Sequence, residues 1–469
     1  MHSYNIKLTA ITPKLKNKNK EFYLGAWCLA NKQDDSLSNL KIHEYHWNDR
    51  KKFHEDYEGL NSYISYNFET VSEYMGGLTG APKDQRYWKI NLGMWIGYLI
   101  QVLFDRWENV RTLPQFEYHL SNLSLNISSL RSNTVRDFFK EINKDQWNEI
   151  VYQLILRAQN KKINYENLEL YNSDIQYYQN EYQNNNKIHS SLKFKIIKNL
   201  ISFFHKLQQP KYFIIASYLN YLKEIKLKLL LKQIPILYIS SIYAPNINYK
   251  YMKTENHEGE NLNSINLKIN KDSPWSNRNK DFLIWFKEVF PFFIPYNYSL
   301  RFKHFFQNMR ALPFPKQPKV IFTSNLYHSF DYFNLYTSEC VHLGSKYIIG
   351  QHGGNYRSAK INFSENIQKD VSDYYLTWGK DSHNDNLFRA KMVAVGNLKL
   401  TPRNLLNRFN RLDKILILTT ELSRYSSMMG SATISSQWLD YFNNIKSFIK
   451  IIKINGLNNE IIVRNKSNK

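Results

Sequence analysis

From Pro318 onward the chain alternates short apolar runs with a helix-length segment, and no other feature restricts its fold so tightly. "KVIFTSN" reads as a strand, "FDYFNLYTSECVHLG" as a helix closed by Gly344, "KYIIGQHGG" as a strand, and "DYYLTWG" and "KMVAVGN" as two further strands. Strand–helix–strand order with short connections builds a parallel sheet, because a parallel neighbour needs a crossover that a helix supplies. The reading is α/β, with doubly wound, Rossmann-type architecture.

Earlier segments extend this pattern less regularly. "FYLGAWCLA" (Phe22–Ala30) is the first strand candidate. Helical apolar spacing covers Leu60–Met75, Arg86–Val110 and Arg131–Arg157. In the second of these, apolar residues nearly surround the helix, which predicts burial. Gly76, Gly77 and Gly80, with Pro82, are expected to break the chain between the first two. A helix near Leu192–Leu207, a strand in "YFIIASYL" (Tyr212–Leu219), a helix through Gln233 and a strand in "PILYIS" again give β–α–β order. Polar loops are expected at 158–190 and 246–280. The aromatic stretch after Phe282 reads as packed inside the domain, with a membrane-surface position as the alternative.

After "VGNLKLTPRN" a new unit opens. "KILILTTEL" is a strand, Ser436–Ile452 a helix and "NEIIVRN" a strand. The expected division is an N-terminal Rossmann-like domain over 1–396 and the start of a second over 397–469. One βαβ unit cannot cover both faces of a sheet, so the second domain is expected to be incomplete.

Charge and composition narrow the function classes. Lys+Arg 63 against Asp+Glu 40 gives +23, which favours anionic partners. The lysines are scattered rather than striped and no nucleic-acid-binding fold is apparent, so nucleic acid is not the expected partner. Mean hydropathy is −0.54, no window approaches the ~20 apolar residues of a bilayer span, and the N-terminus lacks a signal-peptide core. Two cysteines, Cys28 and Cys340, are too few for a disulfide framework or a zinc cage and read as buried thiols. A cytoplasmic protein is expected.

The "QHGG" bend is the feature a buried strand does not need. In open parallel sheets ligands bind beyond the carboxyl ends of strands, where Gln351–Gly354 would lie. Gly353 and Gly354 permit positive φ and close backbone approach, and their N–H groups can face an anion. His352 can donate to a phosphate or serve as acid or base, and Gln351 can bind a sugar hydroxyl. Alone, the same residues also read as a tight turn whose histidine satisfies nearby carbonyls. A second polar knot, "HEYHWNDR", holds His43, His46, Asp49 and Arg50, and Arg86, Asp105 and Arg106 bracket the apolar helix. Asp105 and Arg106 read as a structural ion pair. His43 and His46 find no third ligand in local register, so no metal is expected.

Eight segments in one order carry a resemblance. They are "YLGAWC" (Tyr23–Cys28), "YHWNDR" (Tyr45–Arg50), "RYWKI" (Arg86–Ile90), "VLFDRW" (Val102–Trp107), "PKVIFTSN" (Pro318–Asn325), "IIGQHGGNY" (Ile348–Tyr356), "VSDYYLTWG" (Val371–Gly379) and "IIVRN" (Ile461–Asn465). Together they resemble a family of transferases encoded in bacterial O-antigen and capsule loci. The resemblance implies a GT-B-like glycosyltransferase, with two Rossmann-type domains and an active site in the cleft between them. It implies a nucleotide-sugar donor, by distant similarity a CMP-activated acidic sugar, and a glycan or lipid-linked acceptor. It implies no metal or separate cofactor, and a location at the inner face of the cytoplasmic membrane. Carried onto this chain, it makes His352 catalytic, with His46 or Asp49 as candidate base. Gln351, Gly353, Gly354, Tyr356, Arg50, Arg86 and Arg464 become substrate-binding. Two departures stand out. Arg357 occupies a position where the family pattern has glycine, and the family continues beyond the Arg464 strand. The competing expectation is therefore a truncated, non-catalytic binding or scaffold protein of the polysaccharide assembly machinery.

Overall fold

The computed structural model describes residues 3–17, 19–30, 40–121, 127–166, 199–200, 203, 209–233, 264–379, 387–397, 414–419, 423–430, 433–454 and 460–464. Its strands form three parallel sheets. The "PILYIS" strand, most of the 158–190 loop and most of the Leu192–Leu207 helix lie outside the described residues, as does the first half of 246–280.

The first sheet contains β1 (Ser3–Lys7), β2 (Lys20–Tyr23), β3 (Lys41–Ile42), β4 (Glu117–Ser121) and β5 (Ile163–Glu166), in the order β3-β2-β1-β4-β5. The chain works outward from β1 and then returns to its other side, which is the doubly wound pattern. β1 has no counterpart in the sequence reading. The "FYLGAWCLA" strand ends at Tyr23, after which Ala26–Leu29 form a buried 3-10 turn.

The second sheet contains β6 (Tyr212–Ile214), β7 (Val320–Thr323), β8 (Lys346–Gly350), β9 (Tyr374–Thr377) and β10 (Lys391–Ala394), in the order β10-β9-β8-β7-β6. Each strand lies beside its predecessor. Crossovers of one hand and one direction place connecting helices on one face. Among the described strands the first sheet has the doubly wound order, and the second is wound in one direction. Among the described residues, 1–396 carry two of the three sheets.

Two long helices join these sheets. α1 (Arg50–Thr79) runs through Gly76 and Gly77 rather than stopping there, and ends at Gly80 with φ 67°. α2 (Gln85–Arg111) is buried over most of its circumference, as its apolar pattern predicts. It packs against α1, against α4 (Asp145–Ala158) of the first unit, and against α9 (Asp331–His342) and α10 (Phe363–Val371) of the second. Gly97 permits the last of these contacts: a Cβ there would fall 1.8 Å from the Phe363 ring.

The remaining helices are α3 (Val135–Glu141), α5 (Tyr221–Leu230), α6 (Pro274–Arg278), α7 (Lys280–Phe293), α8 (Phe302–Arg310) and α11 (Trp438–Ile454). The aromatic stretch after Phe282 packs inside. Phe282 meets Phe104 at 5.0 Å and Trp285 meets Trp107 at 5.2 Å between ring centroids. Finally, β11 (Lys414–Leu418) and β12 (Glu460–Arg464) pair in parallel across α11, the expected βαβ unit. Among the described residues no helix is long and apolar enough to cross a membrane. Cys28 and Cys340 are buried free thiols.

Candidate functional site

The QHGG bend lies where the sequence places it, at the carboxyl end of β8. Its geometry assigns different tasks from those expected. Gln351 is buried and engaged at both amide atoms: its Nε2 donates to the Gly353 carbonyl at 2.9 Å, and its Oε1 accepts the Trp378 N–H at 2.9 Å. It clamps the bend to the end of β9 rather than offering its amide to a ligand. Neither Gly353 nor Gly354 has positive φ. A Cβ on Gly353 would approach the Tyr356 ring at 3.1 Å, so this glycine makes room for that ring, whereas Gly354 faces open space. The left-handed residue of the turn is Arg357, at φ 66°. Its N–H donates to Glu365 Oε2 at 3.0 Å.

Beside the bend opens a crevice of about 490 Å³, whose lining includes Tyr98, Tyr218, Asn325, Tyr327, His328, His352 and Tyr356. Its residues come from the carboxyl ends of successive strands. Tyr218 follows β6, Asn325 to His328 follow β7, and His352 to Tyr356 follow β8. A chain of polar contacts crosses it. His352 Nε2 lies 3.2 Å from the Tyr356 hydroxyl, which lies 3.2 Å from that of Tyr327, itself 3.4 Å from Ser364 Oγ. Gln368 Nε2 also donates to the Tyr356 oxygen at 3.3 Å. Asn325 Nδ2 donates to the Tyr218 hydroxyl at 3.2 Å. His328 stands on Phe139, with ring centroids 4.9 Å apart. Burial, aided by His352, pushes its imidazole down to about 4, which keeps it uncharged at neutral pH. Burial also holds the Tyr327 hydroxyl well above its ordinary value.

One wall comes from far along the chain. Met428, Met429 and Gly430 border the crevice, and Gly430 bridges to Asn362 in antiparallel fashion. Arg106 Nη1 donates to the Ser426 carbonyl at 2.8 Å and the Met429 N–H donates to Gln101 Oε1 at 2.8 Å, so α2 holds this strap from below. Sequence reasoning missed His328, Tyr218, Tyr327, Tyr98 and the strap. The signal for His328 was present, because "SNLYHS" follows β7 as "QHGG" follows β8.

The other expected residues lie elsewhere. His46 is sealed in the core, its Nε2 donating to Asp105 Oδ1 at 3.2 Å with a side chain 1% exposed. Asp105 also accepts from Tyr45 at 2.6 Å and from Arg106 at 2.6 Å. Burial alone would raise its carboxyl, but the His46 hydrogen bond, the Arg106 charge and Tyr45 outweigh that and hold it below its ordinary value. This is the buried ion pair read from sequence, with His46 as a third member. Asp49 caps α1, accepting the Lys51 and Lys52 N–H groups at 2.9 and 3.1 Å. Arg50 is exposed and lies over the Phe53 ring. Arg86 donates to the Val371 carbonyl at 3.0 Å and to Asp373 at 2.8 Å, fastening α2 to the second sheet. Arg464 ends β12, where its carbonyl accepts the Thr419 N–H at 3.2 Å. None of these five borders the crevice.

Two other places in the fold are less suited to chemistry. The switch point of the first sheet, between β1 and β4, is filled: Thr9 and Thr12 donate to the buried Glu149 carboxylate at 2.6 and 2.7 Å. A depression of about 980 Å³ borders Glu69, Lys83, Arg86, His342 and Arg389. It is larger, but it sits away from every strand's carboxyl end and two of its cations, Arg86 and Arg389, are paired with Asp373. Among the described residues no group of three or more His, Cys, Asp and Glu side chains is placed to hold a metal.

Parallel sheets with a crevice at the carboxyl rim of one of them define an α/β protein. The chain matches the model of the LIC12162 family of transferases over residues 4–466, and it belongs to that family. No curated protein and no solved structure matches it.

Proposed function

We propose that the protein is a glycosyltransferase of surface-polysaccharide biosynthesis, moving a sugar from a nucleotide donor to a hydroxyl of a glycan or lipid-linked acceptor at the cytoplasmic face of the membrane. The observation that carries this reading is the His352–Tyr356 pair in a crevice at a strand's carboxyl rim. Membership of a transferase family supports it. The β11–α11–β12 unit is read as the second Rossmann-type half of a GT-B-like arrangement. A cytidine-linked acidic sugar as donor rests on the sequence resemblance.

In the reaction the acceptor oxygen bonds to the anomeric carbon as the bond from that carbon to the donor phosphate breaks. The nucleotide leaves with the electron pair. The acceptor proton passes to the Tyr356 oxygen while the Tyr356 proton passes to His352 Nε2. His328, uncharged and facing the same space, offers a neutral hydrogen-bonding group. Transfer assays with a panel of nucleotide sugars and oligosaccharide acceptors test the reading. His352→Ala is expected to lower turnover by about a hundredfold or more. Unchanged turnover removes His352 from the mechanism, and absence of transfer from every donor overturns the enzymatic reading.

A further inference from the structure

The lining of the crevice has a property that the protein's composition does not lead one to expect. The chain carries a formal charge of +23, yet its crevice is bordered by no lysine, arginine, aspartate or glutamate among the described residues. It presents tyrosine hydroxyls, asparagine amides, serine hydroxyls, two imidazoles, Phe363 and the two methionines of the strap. Behind this wall one pair of opposite charges is engaged with itself. Glu365 is buried, accepts the Arg357 N–H at 3.0 Å and lies 3.7 Å from Lys369 Nζ.

Burying an anion in such a space would strip its hydration without supplying a counter-charge. A sugar ring makes the opposite demand. Its hydroxyls need short-range donors and acceptors in several directions, and its C–H faces need flat apolar surface. The crevice offers both. The aromatic rings of Tyr218, Tyr327 and Tyr356 surround His352 at centroid distances of 5.7, 6.1 and 4.9 Å.

We infer that the crevice is the acceptor subsite, that it receives one uncharged sugar ring of the acceptor glycan with a hydroxyl directed at Tyr356, and that the phosphates and any acidic sugar of the donor remain outside it. The inference deepens the proposed glycosyl transfer and rests on it for the word acceptor. The recognition of an uncharged sugar stands on the lining itself.

The test uses matched probes and the full chain without donor. Binding of the methyl glycosides of glucose, galactose and mannose is compared by saturation-transfer NMR with that of the corresponding uronides, which differ by one carboxylate. Cytidine and uridine mono- and diphosphates are run alongside. The expected result is that at least one neutral glycoside binds and its uronide does not. Its affinity should be insensitive to salt, since no charge pair is screened. Tyr356→Phe, which removes only a hydroxyl and keeps the ring, should weaken it by about fivefold. Asn355→Lys, which exchanges one exposed lining amide for a cation, should admit the uronide and raise its affinity relative to that of the neutral glycoside. Binding of uronides or nucleotides that Tyr356→Phe weakens and salt suppresses would overturn the inference while leaving glycosyl transfer standing. Absence of binding by every glycoside also overturns it. Neutral glycoside binding with no transfer from any donor would keep the sugar subsite and remove the enzymatic reading.

Discussion

The Nε2 atom of His352 lies 3.2 Å from the hydroxyl oxygen of Tyr356, four residues further along the same bend. The pairing depends on Gly353, the first of the two glycines between them. A Cβ on Gly353 would press on the Tyr356 ring at 3.1 and 3.2 Å.

Gly353→Ala is therefore expected to displace the Tyr356 ring without disturbing the sheet behind it. Misplacing a catalytic group by a fraction of an ångström is costly to rate and cheap in stability. Transfer should fall by about tenfold or more, while the free energy of unfolding changes by less than about 1 kcal/mol. Paired turnover and urea-denaturation measurements check this, and equal losses in both would refute the positional role.

Arg357→Gly should have the opposite profile. Arg357 holds φ 66°, a conformation that costs an L-residue about 1–2 kcal/mol and glycine almost nothing. Glycine loses more backbone freedom on folding, so a net gain of about 0.5–1 kcal/mol is expected by chemical denaturation. The backbone hydrogen bond to Glu365 survives the exchange. A destabilised variant would show that contacts of the arginine side chain outweigh the strain.

Asp331 gives a pH signature independent of the crevice. It is buried at the start of α9 and accepts the Val135 N–H at 2.9 Å, tying α3 to that helix. Burial raises its carboxyl to about 7. Between its unfolded value near 3.8 and about 7 the folded chain keeps a proton that the unfolded chain has lost. Its contribution is thus complete below the lower value and disappears as pH rises through the upper one. Relative to Asp331→Asn, the native protein should lose on the order of 4 kcal/mol across that window. Denaturation midpoints of both proteins at several pH values measure the difference, and parallel profiles would refute the assignment.

What the sequence disclosed and what it hid divide along a physical line. The burial of α2 was legible because apolar residues all round a helix leave no face for water. The position of His352 was legible because a strand that ends in Gly-Gly must turn at the rim of its sheet. β1 was hidden by its own chemistry. "SYNIK" is half polar, and Lys7 is buried with its ammonium on the Thr12 and Pro13 carbonyls, each at 3.0 Å. Asp49 and Arg86 looked like site residues because a helix cap and a helix–sheet fastening use the same groups as a binding pocket. Nothing local distinguishes these uses. Strand order was unreadable for the same reason, since it depends on pairings between distant segments.

The strap that ends at Gly430 carries a consequence for how the crevice comes into being. Its carbonyl at Ser426 is fixed by Arg106, a fully buried guanidinium that also donates to Asp105, Asn148 and the Ile142 carbonyl. The outer wall of a surface hollow is thereby anchored in the deepest part of the molecule. Residues 1–396 on their own would build a rim with one side missing. The hollow is completed only when Ser426–Gly430 rest on the α2 interior, so the packing of that helix and the shape of the crevice are tied to the same contacts.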